Sequence, residues 1–565
     1  MLRPTVAILI ILFVGFYSGA EARMYIVDDD GFAQYNTIGE AVDASNSGDM
    51  IYVKAGIYRE HLVVDKTLTI MPPVGEEDPT VLEGDGSEIG IDVQAEGCRI
   101  EGLTIKNFRG PGIRVESDGN EIRGNVFEDN VHGIFLNQSS QNTVGDNLER
   151  GGYCGIVFLD SSDNAITGNL AEGCGLAGTL LNNSQNNVIK DSKAVECDRG
   201  IYLITESNNN LVRGCTVLDC GSGIVMERLA RENGVEGCRV ENATITGIGM
   251  VSCVGNSVHD NQILNSENGI TLFSSDGNVI QGNILENVSS GLMFYLSPSN
   301  TLASNRIAGA KNGITIKDSP HNVVEKNILG DVTWAFYVDG NSEESFDCQV
   351  SESNLVDGKP ILYYYRRSDL DVTDQECAHL ALAYCRNGLV KNSTVSNDAL
   401  FVYSSMGNLI QESNVSGCYG MRIYNSSNNQ ILGNRACNNK FNGILLVESA
   451  SNTIANNFLC ENKLGGLSFD RGSDENEIIG NTFSNNQIGI GLNGSNENAI
   501  YHNNFIDNAE QASDDGENLW DWGPLKGGNY WSDHECEGNP CQNSPRAIGN
   551  IATDYYPFQD KDGWV

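Results

Sequence analysis

A six-residue pattern, Asn-x-aliphatic-x-x-Asn, recurs along most of the chain and strongly limits how it can fold. In a first run the first position of the pattern recurs every 22 or 23 residues, at Asn120, Asn142, Asn164, Asn187, Asn210, Asn233, Asn256, Asn278, Asn300 and Asn322. In a second run, with steps of 21 to 24 residues, it recurs at Asn387, Asn408, Asn429, Asn452, Asn476 and Asn498. A fixed period of this length is the signature of a solenoid, in which each repeat packs only on its neighbours.

The residues between the asparagines have the chemistry of strands and turns. Short runs alternate apolar and polar residues, as in Gly291-Leu292-Met293-Phe294-Tyr295-Leu296, and are broken by Asn, Gly and Ser. Several short strands per repeat fit coils that stack in parallel at about 4.8 Å. The sequence therefore predicts an all-β, right-handed, single-stranded parallel β-helix of about 20 coils, about 95 Å long.

In such a stack the recurring asparagines have a structural role, because the side-chain amide of one coil can hydrogen-bond to that of the next. Cysteines occupy equivalent positions in neighbouring coils: Cys215 with Cys238, and Cys174 with Cys197 and Cys220. Stacking would bring their Cα atoms within reach of a disulfide, and rows of buried free thiols fit the same spacing. A separate local disulfide is predicted between Cys536 and Cys541.

Breaks in the repeat divide the chain. The predicted segments are a signal peptide (1–22), an N-terminal cap with the first coils (23–97), repeats (98–347), an expanded coil or insertion (348–386), further repeats (387–508) and a C-terminal cap (509–565). Thr37 to Ala44 is predicted to form a short amphipathic helix that plugs the first coil. The last segment is rich in Trp and Tyr, which suits a cap over the other end.

Charge and the N-terminus bear on location and partners. The chain has 75 acidic and 35 basic residues, a net charge of −40, which excludes a typical nucleic-acid binder. Arg3, the apolar run from Val6 to Tyr17 and Ala20-Glu21-Ala22 predict a secretory signal, with an uncleaved anchor as the alternative. No membrane span is expected after its removal. The sequence thus predicts a secreted or cell-surface protein, where its 16 cysteines could form disulfides.

Several segments resemble known families. Asp30-Gly31 and the stretches TIGEAV and IYVKAGIYREHLVV resemble the opening of the pectin-lyase-like superfamily, especially pectin methylesterases. The repeats resemble those of NosD-type periplasmic β-helix proteins, and DGKPILYYY and GGNYWSDH resemble segments of archaeal surface members. The resemblance implies the right-handed β-helix, an extracytoplasmic location and, as one option, a scaffold for maturation of a copper enzyme. The seven histidines are scattered, which argues against copper carriage itself.

The main functional prediction is a glycan-binding or structural, adhesive protein without catalysis, whose partner is a polysaccharide or envelope glycan. Its candidate binding residues lie in the insertion, where aromatic rings adjoin arginines: Tyr363, Tyr364, Tyr365, Arg366 and Arg367. The same tyrosines could instead cover the local core. The sequence does not define the oligomeric state.

The alternative is a polysaccharide lyase, epimerase or hydrolase that acts along one face of the helix. Its candidates are Asp318 and His321, in a segment similar to the Asp-Pro-His-Glu motif of alginate epimerases. Motifs needed for pectin methylesterase chemistry, QDTL and DFIFG, are absent. No cofactor is required, although Ca²⁺ could bind acidic residues of the C-terminal cap, for which the candidates are Asp514, Asp515, Asp521 and Asp533.

Overall fold

The computed structural model describes residues 22–417, 419–549 and 551–565. Within them the chain is an all-β parallel solenoid of about 23 turns, as the repeat predicts. Helix α1, Ile38–Ala44, is capped by the Thr37 side chain, and its buried residues Ile38, Ala41 and Val42 join the first core. A 3₁₀ turn spans Glu344–Phe346. The predicted signal peptide, apart from Ala22, lies outside the described residues; in the described part, no helix has the length and apolar character needed to cross a membrane.

The solenoid consists of two successive stacks, and each coil contributes one short strand to each of three parallel sheets. Sheet I of the first stack contains Met24–Val27, Met50–Val53, Thr69–Met71, Arg99–Glu101, Glu121–Arg123, Thr143–Gly145, Ala165–Thr167, Val188–Lys190, Leu211–Arg213, Gly234–Glu236, Ser257–His259, Val279–Gln281, Thr301–Ala303, Val323–Glu325 and Gln349–Val350. Sheet II contains Gly56–Tyr58, Thr80–Glu83, Thr104–Lys106, Val126–Glu128, Leu148–Arg150, Leu170–Glu172, Lys193–Val195, Thr216–Leu218, Arg239–Glu241, Gln262–Leu264, Ile284–Glu286, Arg306–Ala308, Ile328–Gly330 and Leu355–Val356. Sheet III contains Leu62–Val64, Ile91–Val93, Pro111–Val115, His132–Asn137, Cys154–Leu159, Ala177–Asn182, Arg199–Ile204, Ser222–Glu227, Thr246–Val251, Asn268–Phe273, Ser290–Tyr295, Asn312–Lys317 and Trp334–Asp339.

The second stack repeats this plan. Its sheet IV contains Asp371–Thr373, Leu389–Lys391, Leu409–Gln411, Gln430–Leu432, Thr453–Ala455, Glu477–Ile479 and Ala499–Tyr501. Sheet V contains Glu376–Cys377, Thr394–Ser396, Asn414–Ser416, Arg435–Cys437, Phe458–Cys460, Thr482–Ser484, Asn504–Ile506 and Tyr530–Trp531. Sheet VI contains Lys359–Tyr365, His379–Ala383, Ala399–Tyr403, Gly420–Tyr424, Ile444–Val447, Gly465–Asp470, Ile488–Asn493 and Glu510–Asp514. An antiparallel pair, Arg546–Ile548 with Ala552–Asp554, follows in the C-terminal segment.

The stack is not continuous, which corrects the prediction of a single rod about 95 Å long. Strand Leu355–Val356 of sheet II pairs antiparallel with strand Lys359–Tyr365 of sheet VI. The turn between them has positive φ at both Asp357 and Gly358, 47° and 83°, which is the backbone of a tight hairpin. The segment 348–386, predicted to be one expanded coil, therefore holds the end of one stack and the beginning of the next.

The asparagines stack along the axis and are buried. At Asn278 the backbone N–H and the side-chain amide both donate to Oδ1 of Asn300, at 2.8 and 3.0 Å. Each of the ten asparagines of the first run is at most 2% exposed. Because both the turn backbone and the amides find partners in the next coil, these polar groups can be buried without losing their hydrogen bonds.

The end of the first stack is covered by the second. Residues on the outer face of sheet VI, among them Ile361, Ala381 and Phe401, belong to the same apolar cluster as Phe336 and the core of the first stack. The alternate residues of the same strands, such as Leu362, Leu380 and Leu400, face the core of the second stack. Sheet VI thus has two buried faces near the junction. At the far end, Trp520 and Trp531 are both 1% exposed and lie in the second core.

Candidate functional site

Sheet III carries a continuous column of outward side chains that leads to the junction of the two stacks. Strand register places successive members of the column side by side: Phe135, Val157, Leu180, Tyr202, Val225, Gly249, Thr271, Met293, Thr315 and Tyr337. Half of this column forms an apolar cluster on the outside of the solenoid, with Val157, Tyr202 and Val225 at its centre. Such an extended, partly apolar face suits a long ligand.

At the end of this column a cavity of about 420 Å³ lies between the stacks. Met293, Trp334 and Tyr337 from sheet III line one side, and Phe401, Arg422 and Tyr424 from sheet VI line the other. Its volume falls in the range of small-molecule sites, about 300–1,000 Å³. An adjoining cavity of about 310 Å³ shares Tyr337 and Tyr424 with the first.

The rings of sheet VI form a stacked row at the cavity. Phe401 and Tyr403 have centroids 5.2 Å apart with planes 7° from parallel, and Tyr403 and Tyr424 are 5.5 Å apart at 11°. Burial, reinforced by Asp339, raises the pKa of Tyr337 above its ordinary value, so its hydroxyl is a neutral hydrogen-bond donor at physiological pH. Rings of this kind combine apolar faces with polar tips, which suits contact with sugars.

Arg422 is the cation of the cavity and is only 7% exposed. Its guanidinium carbon lies 5.4 Å from the ring centre of Trp334, 5.5 Å from that of Tyr419 and 5.9 Å from that of Phe441. Its Nε has no hydrogen-bond partner among the described residues. Trp334 and Arg422 are far apart in sequence, and only the junction brings them together.

A buried contact between His379 and Asp398, both in the second stack, lies next to the cavity. Nδ1 of His379 lies 2.8 Å from Oδ2 of Asp398, and both side chains are at most 2% exposed. The same Oδ2 accepts a hydrogen bond from the backbone N–H of Phe336, at 3.2 Å. Since Phe336 belongs to sheet III and Asp398 precedes a strand of sheet VI, this contact helps to hold the cavity walls in place.

The binding residues predicted from the insertion lie at the junction but face different ways. The Tyr363 hydroxyl donates to the carbonyl of Phe346 at 2.6 Å, and Tyr364 packs against the second core. Arg366 pairs with Glu343 at 2.9 Å. Tyr365 and Arg367 line a further cavity of about 390 Å³. Tyr363 lines this cavity as well, so three of the five predicted binding residues meet there, and their role in binding stays a prediction.

The predicted catalytic pair is held by a neighbouring turn. Oδ1 of Asp318 accepts hydrogen bonds from the backbone N–H of Asn341 at 2.7 Å and from the Ser345 hydroxyl at 3.2 Å. His321 lies 3.4 Å from a carboxylate oxygen of Asp347. No hydrogen bond or ion pair joins Asp318 to His321 in the described part of the chain, and their catalytic role stays a prediction.

The predicted calcium ligands each have protein partners. The contacts are Asp514 with Trp520 Nε1 at 2.7 Å, Asp515 with Gly494 N at 2.8 Å, Asp521 with Gly523 N and Tyr555 N at 2.9 and 3.0 Å, and Asp533 with Arg546 at 2.8 Å. Across residues 22–417, 419–549 and 551–565, no three His, Cys, Asp or Glu side chains are grouped as metal ligands would be.

The cysteines take both forms that the sequence left open. The predicted Cys536–Cys541 disulfide is present, and a second one joins Cys437 and Cys460 in adjacent coils, with Cα atoms 4.5 Å apart. The two rows in the first stack are buried free thiols. Burial raises the pKa of the Cys154 thiol to about 12.

Comparison with known proteins identifies relatives of the repeat. The family model described as "Periplasmic copper-binding protein (NosD)" matches residues 73–235, 228–362 and 354–536, well over half of the chain. Two plant proteins from Arabidopsis thaliana match a shorter segment: "Probable pectinesterase/pectinesterase inhibitor 6", 29% identical over 138 residues, and "Pectinesterase 4", 29% identical over 146 residues. These matches cover 20% and 22% of this chain and a quarter of each relative.

Solved structures with similar folds include the catalytic domain of GH87 alpha-1,3-glucanase in complex with nigerose, with a TM-score of 0.36 and 13% identity over 59% of this chain and 68% of the other. Another is the N-terminal fragment of bacteriophage Phi29 gene product 12, with a TM-score of 0.45 and 11% identity over 81% of this chain and 89% of the other.

Proposed function

Since this chain belongs to the NosD family, which is periplasmic, and acts as an extracytoplasmic β-helix protein, we propose that it binds a glycan without transforming it. The glycan lies along the outward column of sheet III and enters the junction cavity. On this proposal the protein is secreted or displayed at the cell surface, and the stacks serve as a rigid support. The Arabidopsis relatives named as pectinesterases make a saccharide ligand reasonable but assign no activity to this chain.

The observation that carries the proposal is the junction cavity with its aromatic walls. Tyr337 from one stack and Tyr424 from the other face a space of about 420 Å³ that a sugar can enter. Around them, Asn312, Thr315 and Ser290 supply neutral hydrogen-bonding groups. A mixture of ring faces and short polar side chains is typical of a site that recognises hydroxyl-rich ligands.

Incubation with a panel of neutral and acidic polysaccharides, with and without calcium, tests the proposal. The bound fraction is measured together with any released, unsaturated or epimerised sugars. We expect retention of at least one polysaccharide without new products. New products would show that the protein is an enzyme, and failure to retain any member of the panel would refute glycan binding.

A variant locates the site. Tyr424→Ala should weaken binding of the retained polysaccharide about 3- to 10-fold, because aromatic contacts contribute about 0.5–1.5 kcal/mol each. Tyr52→Ala is the matched control, since Tyr52 is a half-buried tyrosine on sheet I at the opposite end of the first stack. Equal affinities for the two variants would place the binding surface elsewhere.

A further inference from the structure

The guanidinium of Arg422 lies in the junction cavity without an acidic partner. None of the carboxylates among the described residues is within ion-pair distance of it, and none lines the cavity. Other half-buried arginines in the chain are paired: Arg114, for example, makes a two-pronged contact with Asp92 at 2.9 and 2.8 Å. Buried charged side chains are usually paired with an opposite charge. In a chain of net charge −40, a buried arginine that has no carboxylate partner therefore needs a physical explanation.

Aromatic rings account for part of its stabilisation. Trp334, Tyr419 and Phe441 surround the guanidinium at 5.4 to 5.9 Å and provide cation–π attraction. These contacts leave the hydrogen-bonding capacity of the group unused, since Nε has no partner among the described residues. The remaining neighbours across the cavity, Asn312 and Thr315, are neutral, so no carboxylate lines the cavity opposite the guanidinium; Asp339 and Glu448 line the adjoining cavity.

We propose that the junction cavity binds an anionic group of the saccharide, a carboxylate or a sulfate, and that Arg422 is its ligand. This inference rests on the proposed glycan binding and specifies its substrate class. A guanidinium offers two parallel N–H donors that match the two oxygens of such a group. Tyr337 and Tyr424 contact the ring of the same sugar, so charge and shape are recognised together.

The first test uses the unmodified protein and two matched ligand pairs. One pair is a uronic-acid polysaccharide and its carboxyl-reduced form; the other is a sulfated polysaccharide and its desulfated form. Calorimetry at about 0.15 M salt limits long-range repulsion, because the Debye length is then about 8 Å. We expect the anionic member of one pair to bind at least about tenfold more tightly than its neutral counterpart, as a hydrogen bond to a charged group predicts.

The outcome separates this inference from the function on which it rests. Equal affinity within both pairs, with measurable binding, would overturn the anion site and leave glycan binding intact. No binding of any saccharide would refute the proposed function itself. Preference within one pair identifies whether the group is a carboxylate or a sulfate.

The second test uses Arg422→Gln, with Arg435→Gln as the control. Arg435 also lies over an aromatic ring, that of Phe458 at 5.0 Å, but it belongs to sheet V of the second stack. Both variants change the net charge equally. We expect R422Q to abolish the preference for the anionic ligand, with a larger loss of affinity for the anionic than for the neutral member of the pair, and R435Q to keep the preference.

A merely structural Arg422 predicts a different result, namely equal losses for the anionic and neutral ligands, and that result would overturn the proposal. Folding of each variant is checked by circular dichroism and thermal melting. If R422Q does not fold, Arg422→Lys is used to test the proposal. This variant keeps the positive charge but loses the planar guanidinium with its two parallel N–H donors. A preference reduced at least about threefold in R422K supports the proposal, and an unchanged preference refutes it.

Discussion

Glu149 offers a sharp test of how the core of the first stack is built. It is the central residue of strand Leu148–Arg150, and its side chain points into the core. The equivalent inward position is Phe127 in the preceding coil and Ala171 in the next. The side chain is 1% exposed, and neither carboxyl oxygen has a hydrogen-bond partner among the described residues. The space around it is too small for a water molecule. Burial raises the pKa of this carboxyl from 4.5 to about 8.

This shift makes the stability of the first stack depend on pH. Between pH 4.5 and about 8 the folded protein keeps a proton on Glu149 that the unfolded chain has released, so the free energy of unfolding falls as the pH rises. Each pH unit costs about 1.4 kcal/mol. The total loss is about 5 kcal/mol above pH 8, where the penalty becomes constant. Below pH 4.5 the group has no effect, because both states are protonated.

Glu149→Gln removes this titration while it keeps the size of the side chain. Hydrogen exchange of peptides from the coils around residues 126–182, corrected for the intrinsic rate at each pH, compares the variant with the wild type from pH 5 to 9. The variant should gain about 1.4 kcal/mol per pH unit relative to the wild type up to about pH 8. Glu286→Gln, an outward position on the same sheet, should show no such trend. If the stability difference between the variant and the wild type changes by less than about 1 kcal/mol across the whole pH range, the conclusion that Glu149 is buried without partners is refuted.

Three further predictions concern the ladders, the disulfide and the charge. Asn283→Ala removes the acceptor of the Asn261 N–H, at 3.0 Å, and the donor to the Val258 carbonyl, at 2.9 Å. The local free energy of unfolding, measured by hydrogen exchange, should therefore fall by about 2–6 kcal/mol. The control Asn182→Ala changes a half-exposed asparagine and should cost under 1 kcal/mol, and equal losses for the two variants would contradict a structural ladder. Cys437→Ser opens a disulfide that spans 23 residues and should destabilise the second stack by about 3 kcal/mol in urea unfolding, whereas an unchanged midpoint would show that the bond does not form. Binding of an anionic saccharide should strengthen as salt rises from about 10 to 150 mM, because screening weakens the repulsion from the net charge of −40; calorimetry that shows steady weakening instead would contradict this account.

Much of the fold can be predicted from the repeat because its cause is local. Each coil has to place an asparagine and an aliphatic residue where the neighbouring coil has them, so the period, the strand type and the stacking register are visible in the sequence. The interruption of the repeat is also visible in the sequence, but the spacing of the asparagines does not show that the chain reverses direction there. Asp357-Gly358, between Leu355-Val356 and the apolar run that begins at Ile361, is a strong hairpin signal, and it would have predicted the reversal of the chain at this point.

The residues of the candidate site could not be predicted from the repeat in the same way. Trp334 and Arg422 are 88 positions apart and lie in sheets of different stacks. Of the candidate residues in the insertion, Tyr363 packs at the contact between the stacks, and Tyr364 packs against the core of the second stack. Pattern alone does not distinguish an aromatic side chain that lines a cavity from one that packs beneath it.

The parallel β-helix, the buried Asn ladders and the local Cys536–Cys541 disulfide can all be predicted from the sequence, because each depends on residues that are neighbours in the chain or one repeat apart. The place where the axis breaks, and the residues that meet there, depend instead on how the two stacks pack. A two-residue hairpin reverses the strand direction, and the outer face of sheet VI then closes the first stack. This reversal brings Arg422 against Trp334 and forms the cavity on which the proposed function rests.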